Sequence, residues 1–439
     1  MASLPRSPGR LLLSRVCHDL GLDTDLVPSA HASVPLRSRL ATGELAWASV
    51  SAVAAAAGIR TPIDPERIAV AYRSDRVLTV DEVAPPVWSP YSGFWRTADG
   101  WVRTHGNYPH HAAALVSAVG AGADPEAMRD AFLALRTSDA VSAVTAAGGL
   151  AVPVVREDPR RDGDLRRSPL LGIERFDDRP PSLSPARARG TATRDARRLD
   201  GIRVLDLTRV IAGPVCTRTL ALLGADVLRL DPPHLPEPGW QHLDTGHGKR
   251  TALLDARSAA VHDLLDRADV VVLGYRPAAM ERLGLSAHRI AERHPGIVIA
   301  QLSAWGLDHP ERAGFDSLVQ AESGIALIES PDGERPGALP AQALDHSAGY
   351  LLAAAVVTLL AQRRETGRGA WAHTSLRRVA AELLGMPRLA EPGDEAEIDV
   401  SAHTARFSVG GQTLRTVRPA LPGLEFAAPH PWGSDHPGW

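Results

Sequence analysis

Between residues 202 and 306, short apolar runs alternate with stretches of helical period. The runs are IRVLDL (202–207), DVLRL (226–230), TALLDA (251–256), DVVVLGY (269–275) and IVIAQLSAWG (297–306). Between them stand VCTRTLALLGA, AAVHDLLDRA, AAMERLGL and AHRIAERHP. Compact β-branched runs read as strands buried on both faces, and the amphipathic stretches between them as helices. The alternation predicts βαβ units around a parallel sheet, an α/β fold with a Rossmann-like domain. Farther on, residues 350–361 carry only Tyr350 and Thr358 as polar breaks. They predict a buried helix, since an apolar stretch must reach about 20 residues to span a bilayer.

The first half is less regular. Residues 42–58, TGELAWASVSAVAAAAG, predict a helix ending at Gly58, and GFWRTADGWVRTHGN (93–107) predicts a hairpin turning at Asp99–Gly100. PEAMRDAFLAL and SDAVSAVTAAG read as helices behind plausible start signals. A stretch rich in Pro, Arg and Ser then separates the halves. The expected organisation is therefore a small α+β domain (1–175), a linker (176–199), a Rossmann-like domain (200–385) and a C-terminal tail (386–439). No period of 20–50 residues marks a solenoid.

Composition narrows the function. The 439-residue chain has a net charge of −3, so charge points neither to nucleic acid nor to an anionic membrane. Two cysteines, Cys17 and Cys216, make no disulfide framework and fit a reducing, cytoplasmic setting. The N-terminal triplet of leucines is too short for a signal peptide. His105, His110 and His111 lack acidic or Cys partners at ligand spacing, so no metal is expected.

Three stretches carry candidate chemistry. In VLDLTRVIAGPVCTRTLALLGADVLRLDPP (204–233) a strand runs through a Gly213–Pro214 turn into a helix whose first N–H groups could hold an anion. A plain βαβ turn explains the same residues, because neither dinucleotide fingerprint nor P-loop is present. In TGHGKRTALLDA (245–256), Lys249 and Arg250 follow two glycines and suit phosphate groups, although a solvated turn would look alike. Lys249 is the only lysine of the chain. In VVLGYRPAAMERLGL (271–285), Tyr275 ends a strand where parallel sheets bind ligands, suited to a planar base, with Arg276 and Arg282 for phosphates.

In this order the stretches GIRVLDLTRVIAGP, GADVLRLDPP, GKR, ADVVVLGYRP and RLGL resemble the family III CoA-transferases, which share a fold with the α-methylacyl-CoA racemases. The resemblance covers roughly 200–380. It implies that Ile211 and Ala212 lie by the CoA thiol end, Lys249 and Arg250 by its phosphates, and Gly274, Tyr275, Arg276 and Arg282 along the adenosine side. It also implies a nucleophilic aspartate in a D-x-x-x-G pattern opening a long apolar helix, here Asp345 with Gly349 in ALDHSAGY. The helix dipole and nearby amides are then expected to keep Asp345 ionised. On its own, Asp345 reads most simply as a helix N-cap, worth about 1 kcal/mol. The implied partners are an acyl-CoA and a free carboxylic acid, with CoA as substrate, no cofactor and a homodimeric assembly.

Three features depart from the pattern. The 93–160 segment resembles the family's small domain yet precedes the sheet, implying a permuted chain or a truncated tandem. Asp231 and Pro232 stand where a phosphate-binding Arg is common, and VGGQ (409–412) is a weak candidate for a closing glycine loop. Phe315, in RAGFDSLVQ, occupies the place of the racemase histidine and cannot accept a proton, which disfavours a two-base racemase. The open alternatives are a non-catalytic acyl-CoA-binding relative and a racemase or epimerase.

Overall fold

The computed structural model describes residues 7–22, 31–122, 124–176, 199–394 and 396–439. Its centre is a seven-stranded sheet. The strands are β1 (Gly172–Arg175), β2 (Arg203–Leu207), β3 (Asp226–Asp231), β4 (Lys249–Leu253), β5 (Val270–Leu273), β6 (Val298–Ser303) and β7 (Ala370–Ser375). They lie in the order β1-β7-β6-β5-β2-β3-β4. Every neighbouring pair is parallel except β7 with β1. Central β5 consists of three valines and a leucine, all buried, as expected for a strand covered on both faces.

Five helices matter for the site: α1 (Pro8–Leu20), α2 (Thr42–Ala57), α3 (Ala212–Leu222), α4 (Asp316–Ser323) and α5 (Ala343–Thr366). One core unites them on one face of the sheet, with residues of α1, α2, α3 and α5 packed together. The α5 helix runs well past 350–361 in both directions and stops at Gly367, whose φ of 71° only glycine adopts readily. By length and composition it could cross a bilayer, but its apolar window is wholly buried in protein. Leu351, Leu352, Val356, Leu359 and Leu360 each contribute about 1.5–3 kcal/mol by that burial.

A glycine sets how closely α3 and α5 approach. A Cβ on Gly349 would stand 2.5 Å from the Ala212 carbonyl oxygen and 2.8 Å from Val215 Cβ. Gly349→Ala is therefore expected to lower stability by about 1–3 kcal/mol, measured by denaturant unfolding. An unchanged midpoint would mean that the two helices separate freely.

The expected boundaries differ from the packing. β1 falls inside the expected first domain yet forms an edge of the central sheet, and α2 lies on α5. The reason is apolar: the alanine-rich α2 is buried almost all round and needs a helix face to cover it. A separate α+β unit is confined to about 91–153. There Phe94–Arg96, Trp101–Thr104 and Ala151–Pro153 form a small sheet under three helices, around Trp95, Val102, Met128 and Phe132. Its hairpin turns at Asp99–Gly100, where Thr97 N–H donates to the Gly100 carbonyl at 3.0 Å. Of the expected linker, 177–198 lie outside the described residues.

Nor is 386–439 a free tail. Thr404–Val409 and Gln412–Val417 pair as a hairpin beside Thr79–Val80, and the VGGQ glycines make its tight turn, with φ of 57° and 85°. The closing segment docks on the sheet domain, where Trp432 Nε1 donates to Asp231 at 3.1 Å and Trp439 Nε1 donates to the Leu264 carbonyl at 3.0 Å.

Candidate active site

Asp345 sits in the first turn of α5, but it is not the cap. That position belongs to Gln342, which makes no side-chain capping bond. The capping role passes to another element. Asp316, the first residue of α4, accepts the Asp345 backbone N–H on Oδ2 at 3.0 Å, while Gln320 donates to its other oxygen. Gln320 is fixed in turn by the Leu339 N–H, 2.9 Å from its carbonyl oxygen. The amides expected to favour an ionised Asp345 thus serve Asp316 instead.

The electrostatics follow from this. Asp345 is only 5% exposed, and among the described residues its carboxylate accepts no hydrogen bond. Burial, and then the neighbouring Asp316, push it well above the usual carboxylate range. The expectation of a carboxylate kept ionised by amides is corrected accordingly. Burial also lifts Asp316, to about 6, against the pull of its amide donors and of Arg103.

Ile211 and Ala212 stand at the start of α3, both buried, and Ala212 packs on Gly349 one turn beyond Asp345. The chain enters α3 through a constrained loop. Val210 has φ of 72°, unusual for a β-branched residue, and its N–H is held by Glu237 at 2.6 Å. Glu237 is itself anchored on Arg229, which also pairs with Asp231 at 2.8 Å. Asp231 is thus a partner of a buried arginine, not an opening toward a ligand.

Lys249 and Arg250 do not form a loop. The β3–β4 register begins at Val227 opposite Lys249, so both residues lie in a strand that starts before the apolar run. Lys249 is 1% exposed and donates to Asp206 at 3.1 Å and to the Pro214 carbonyl at 3.0 Å. Burial pushes its ammonium down to about 8, opposed by Asp206. Arg250 grips Asp226 at 3.0 and 2.9 Å and the Gly438 carbonyl at 2.6 Å, with the Trp439 ring 5.4 Å away. Both cations are engaged within the protein.

At the carboxyl ends of β2 to β5 lies a cavity of about 430 Å³, the usual ligand position in parallel sheets. Tyr275 and Arg282 line it, together with Leu207, Leu230, His234 and Arg257. Gly274 and Arg276 flank Tyr275 and are exposed, and Arg276 and Arg282 both reach Glu311, at 3.3 and 2.5 Å. The structure so places Tyr275 and Arg282 in the cavity wall with Gly274 and Arg276 beside them in sequence, and Ile211, Ala212 and Asp345 at the α3–α5 contact. Lys249 and Arg250 join neither group.

Several further side chains surround these groups. The small α+β unit brings His105 face to face with Phe315, ring centroids 3.8 Å apart. Tyr108 carries the Arg209 guanidinium 4.7 Å above its ring, and Arg209 Nε and Nη2 are buried without a hydrogen bond among the described residues. Asp316 was visible as the residue after Phe315, but nothing local marked it as the cap of a helix 27 to 29 positions away. His346 is buried and stacked on Tyr72, ring centroids 5.0 Å apart.

Residues 199–408 match CoA-transferase family III. A probable fatty acyl-CoA transferase of Mycobacterium tuberculosis is 33% identical over 192 residues, covering 39% of this chain and 48% of that protein. A formyl-CoA:oxalate CoA-transferase of Streptomyces coelicolor is 32% identical over 244 residues, 49% of this chain and 59% of that protein. A crystal structure of the M. tuberculosis protein matches at 32% identity with a TM-score of 0.40, over 43% of this chain and 57% of that one. The chain therefore spans about half the length of these curated relatives. It is similar to CoA-transferase family III over residues 199–408, a little under half of its length.

Proposed function

We propose that the protein moves CoA from an acyl-CoA to a free carboxylic acid, with Asp345 as nucleophile. The observation that carries the reading is a buried carboxylate at the α3–α5 contact that accepts no hydrogen bond among the described residues, in a chain with a ligand-sized cavity at its strand ends. The ionised Asp345 attacks the thioester carbonyl. Its new C–O bond replaces the C–S bond, giving a mixed anhydride and CoA thiolate. The thiolate attacks the aspartyl carbonyl, forming an aspartyl-CoA thioester and freeing the first acid. The acceptor carboxylate repeats the sequence in reverse order and leaves as the new acyl-CoA. In this reading Tyr275 packs on the adenine, Arg276 and Arg282 meet phosphates, and Ile211 and Ala212 border the thioester. Lys249 and Arg250 are left out, because their partners are internal.

Hydroxylamine tests the reading directly. Incubation with an acyl-CoA is expected to leave a hydroxamate at residue 345, found by peptide mass spectrometry and missing in Asp345→Ala. Bound CoA with no adduct would instead indicate an acyl-CoA-binding protein. The order of parts fits a truncated tandem: α2 packs on α5 and, like it, ends at a left-handed glycine, Gly58. A homodimer belongs to the same proposal and is measurable by sedimentation.

One observation favours a second reading. His105 lies against Phe315, with its Nδ1 buried and without a hydrogen bond among the described residues, beside the position a racemase gives to its histidine. Burial and Arg103 hold the ring neutral, the state a base requires. Exchange of the substrate α-proton in deuterated water, lost in His105→Phe, would establish epimerisation.

A further inference from the structure

Asp316 has no role in the reaction as written, yet it is fully buried at the N-terminus of α5. A buried carboxylate is costly unless hydrogen-bonded, and this one is bonded on both oxygens. Its Oδ2 takes the N–H of Asp345 itself, so the two carboxyl groups share one helix turn while only Asp316 receives its amides. Two carboxylates so placed do not ionise independently.

Resting on the nucleophile reading, we propose that Asp316 is a positioning residue that caps α5 in place of Gln342 and makes Asp345 the more basic member of a carboxyl pair. The cap fixes the first turn and hence where Asp345 points. The charge sets when Asp345 ionises, and so the pH at which attack begins. A more basic carboxylate is also a stronger nucleophile toward a thioester.

The other charged and titratable groups around the pair come from three elements. Arg103, on Trp101–Thr104, bears on Asp316 and is itself buried against the Phe94 ring. His105, two residues on, packs on Phe315, and burial keeps it neutral. His346, next in α5, faces Tyr72 and is held down to about 3 by burial. With both imidazoles neutral near pH 7, Asp316 is the charged neighbour that acts on Asp345.

The sign is fixed. Attack needs ionised Asp345, so activity falls as pH drops through its raised value. Asp316→Asn keeps an oxygen for the Asp345 N–H and removes the charge, which lets Asp345 ionise at lower pH. The acid limb of the kcat/KM profile is then expected to move down by about 1 pH unit or more. Asp316→Ala, lacking both charge and cap, is expected to show the same shift with a lower plateau.

Titration of protein carrying 13Cγ-labelled aspartate reads Asp345 without reference to turnover, its resonance being assigned by loss in Asp345→Asn. A lower midpoint for that resonance in Asp316→Asn, with a matching shift of the acid limb, establishes the proposal. An unmoved midpoint in folded Asp316→Asn overturns it. A shifted midpoint with an unmoved acid limb confirms the effect on Asp345 and refutes Asp345 as the nucleophile.

Discussion

Asp345→Asn is expected to lower kcat for CoA transfer by about a thousandfold or more, with no loss of thermal stability. Both halves follow from one environment. The carboxylate is buried, accepts no hydrogen bond among the described residues and has Asp316 as its neighbour. Its folded-state pKa lies above the ordinary value, so the folded protein binds this proton more tightly than the unfolded chain does. The associated stability is complete below the ordinary carboxylate range and is lost as pH rises through the raised value. Above that raised value the ionised side chain is therefore a cost to folding. A neutral amide of the same shape removes that cost, and the melting temperature is expected to hold or rise. Transfer assays and thermal melts on the same preparations check both parts. Retention of more than a tenth of the activity would exclude Asp345 as the covalent nucleophile, and a steep fall in melting temperature would make it a structural carboxylate.

The sheet was legible because its signal is local. Val270–Leu273 and Val298–Ser303 are continuous apolar runs, and nothing from afar is needed to recognise them as buried strands. Tyr275 was expected at the carboxyl end of a strand, and it follows Val270–Leu273 closely and lines the cavity there. What escaped depends on pairs distant in sequence. Lys249 looks like an exposed cation until β3 lies beside it and Asp206 comes within 3.1 Å. Asp345 looks like a cap until Asp316 takes its amide. The domain boundary at 175 failed for the same reason, because Gly172–Arg175 is too short to read as a strand without β7 to pair with. Charge and hydrogen-bond partners are set by the tertiary fold, whereas hydrophobic period is written residue by residue.

Lys249→Ala is expected to destabilise the protein by about 3–5 kcal/mol, a large share of a typical domain's stability. The ammonium lies between the strand and α3, bonded to Asp206 and to the Pro214 carbonyl. Asp206 has no exposure of its own, and it also accepts from Thr208 at 2.5 Å and Thr217 at 2.6 Å. Burial alone would raise this carboxyl, but Lys249, Arg229 and the two hydroxyls hold it below the usual range. Its contribution to stability is therefore present above the ordinary carboxylate range and is lost as pH falls through the lowered value. Removing the lysine leaves a buried anion short of its partner, and the penalty comes from that anion more than from the lost bond. The double variant Lys249→Met, Asp206→Asn is thus expected to be more stable than Lys249→Ala, since neither charge stays behind uncompensated. Urea midpoints of the single and double variants measure the coupling. A phosphate-binding lysine predicts a different outcome: an unchanged midpoint for Lys249→Ala, with KM for acyl-CoA raised about tenfold. Such a result would return Lys249 to the ligand and would require the strand to open on binding. In the closed sheet, a charge that is 1% exposed and already shared between a carboxylate and a carbonyl has no donor facing solvent for a phosphate to meet.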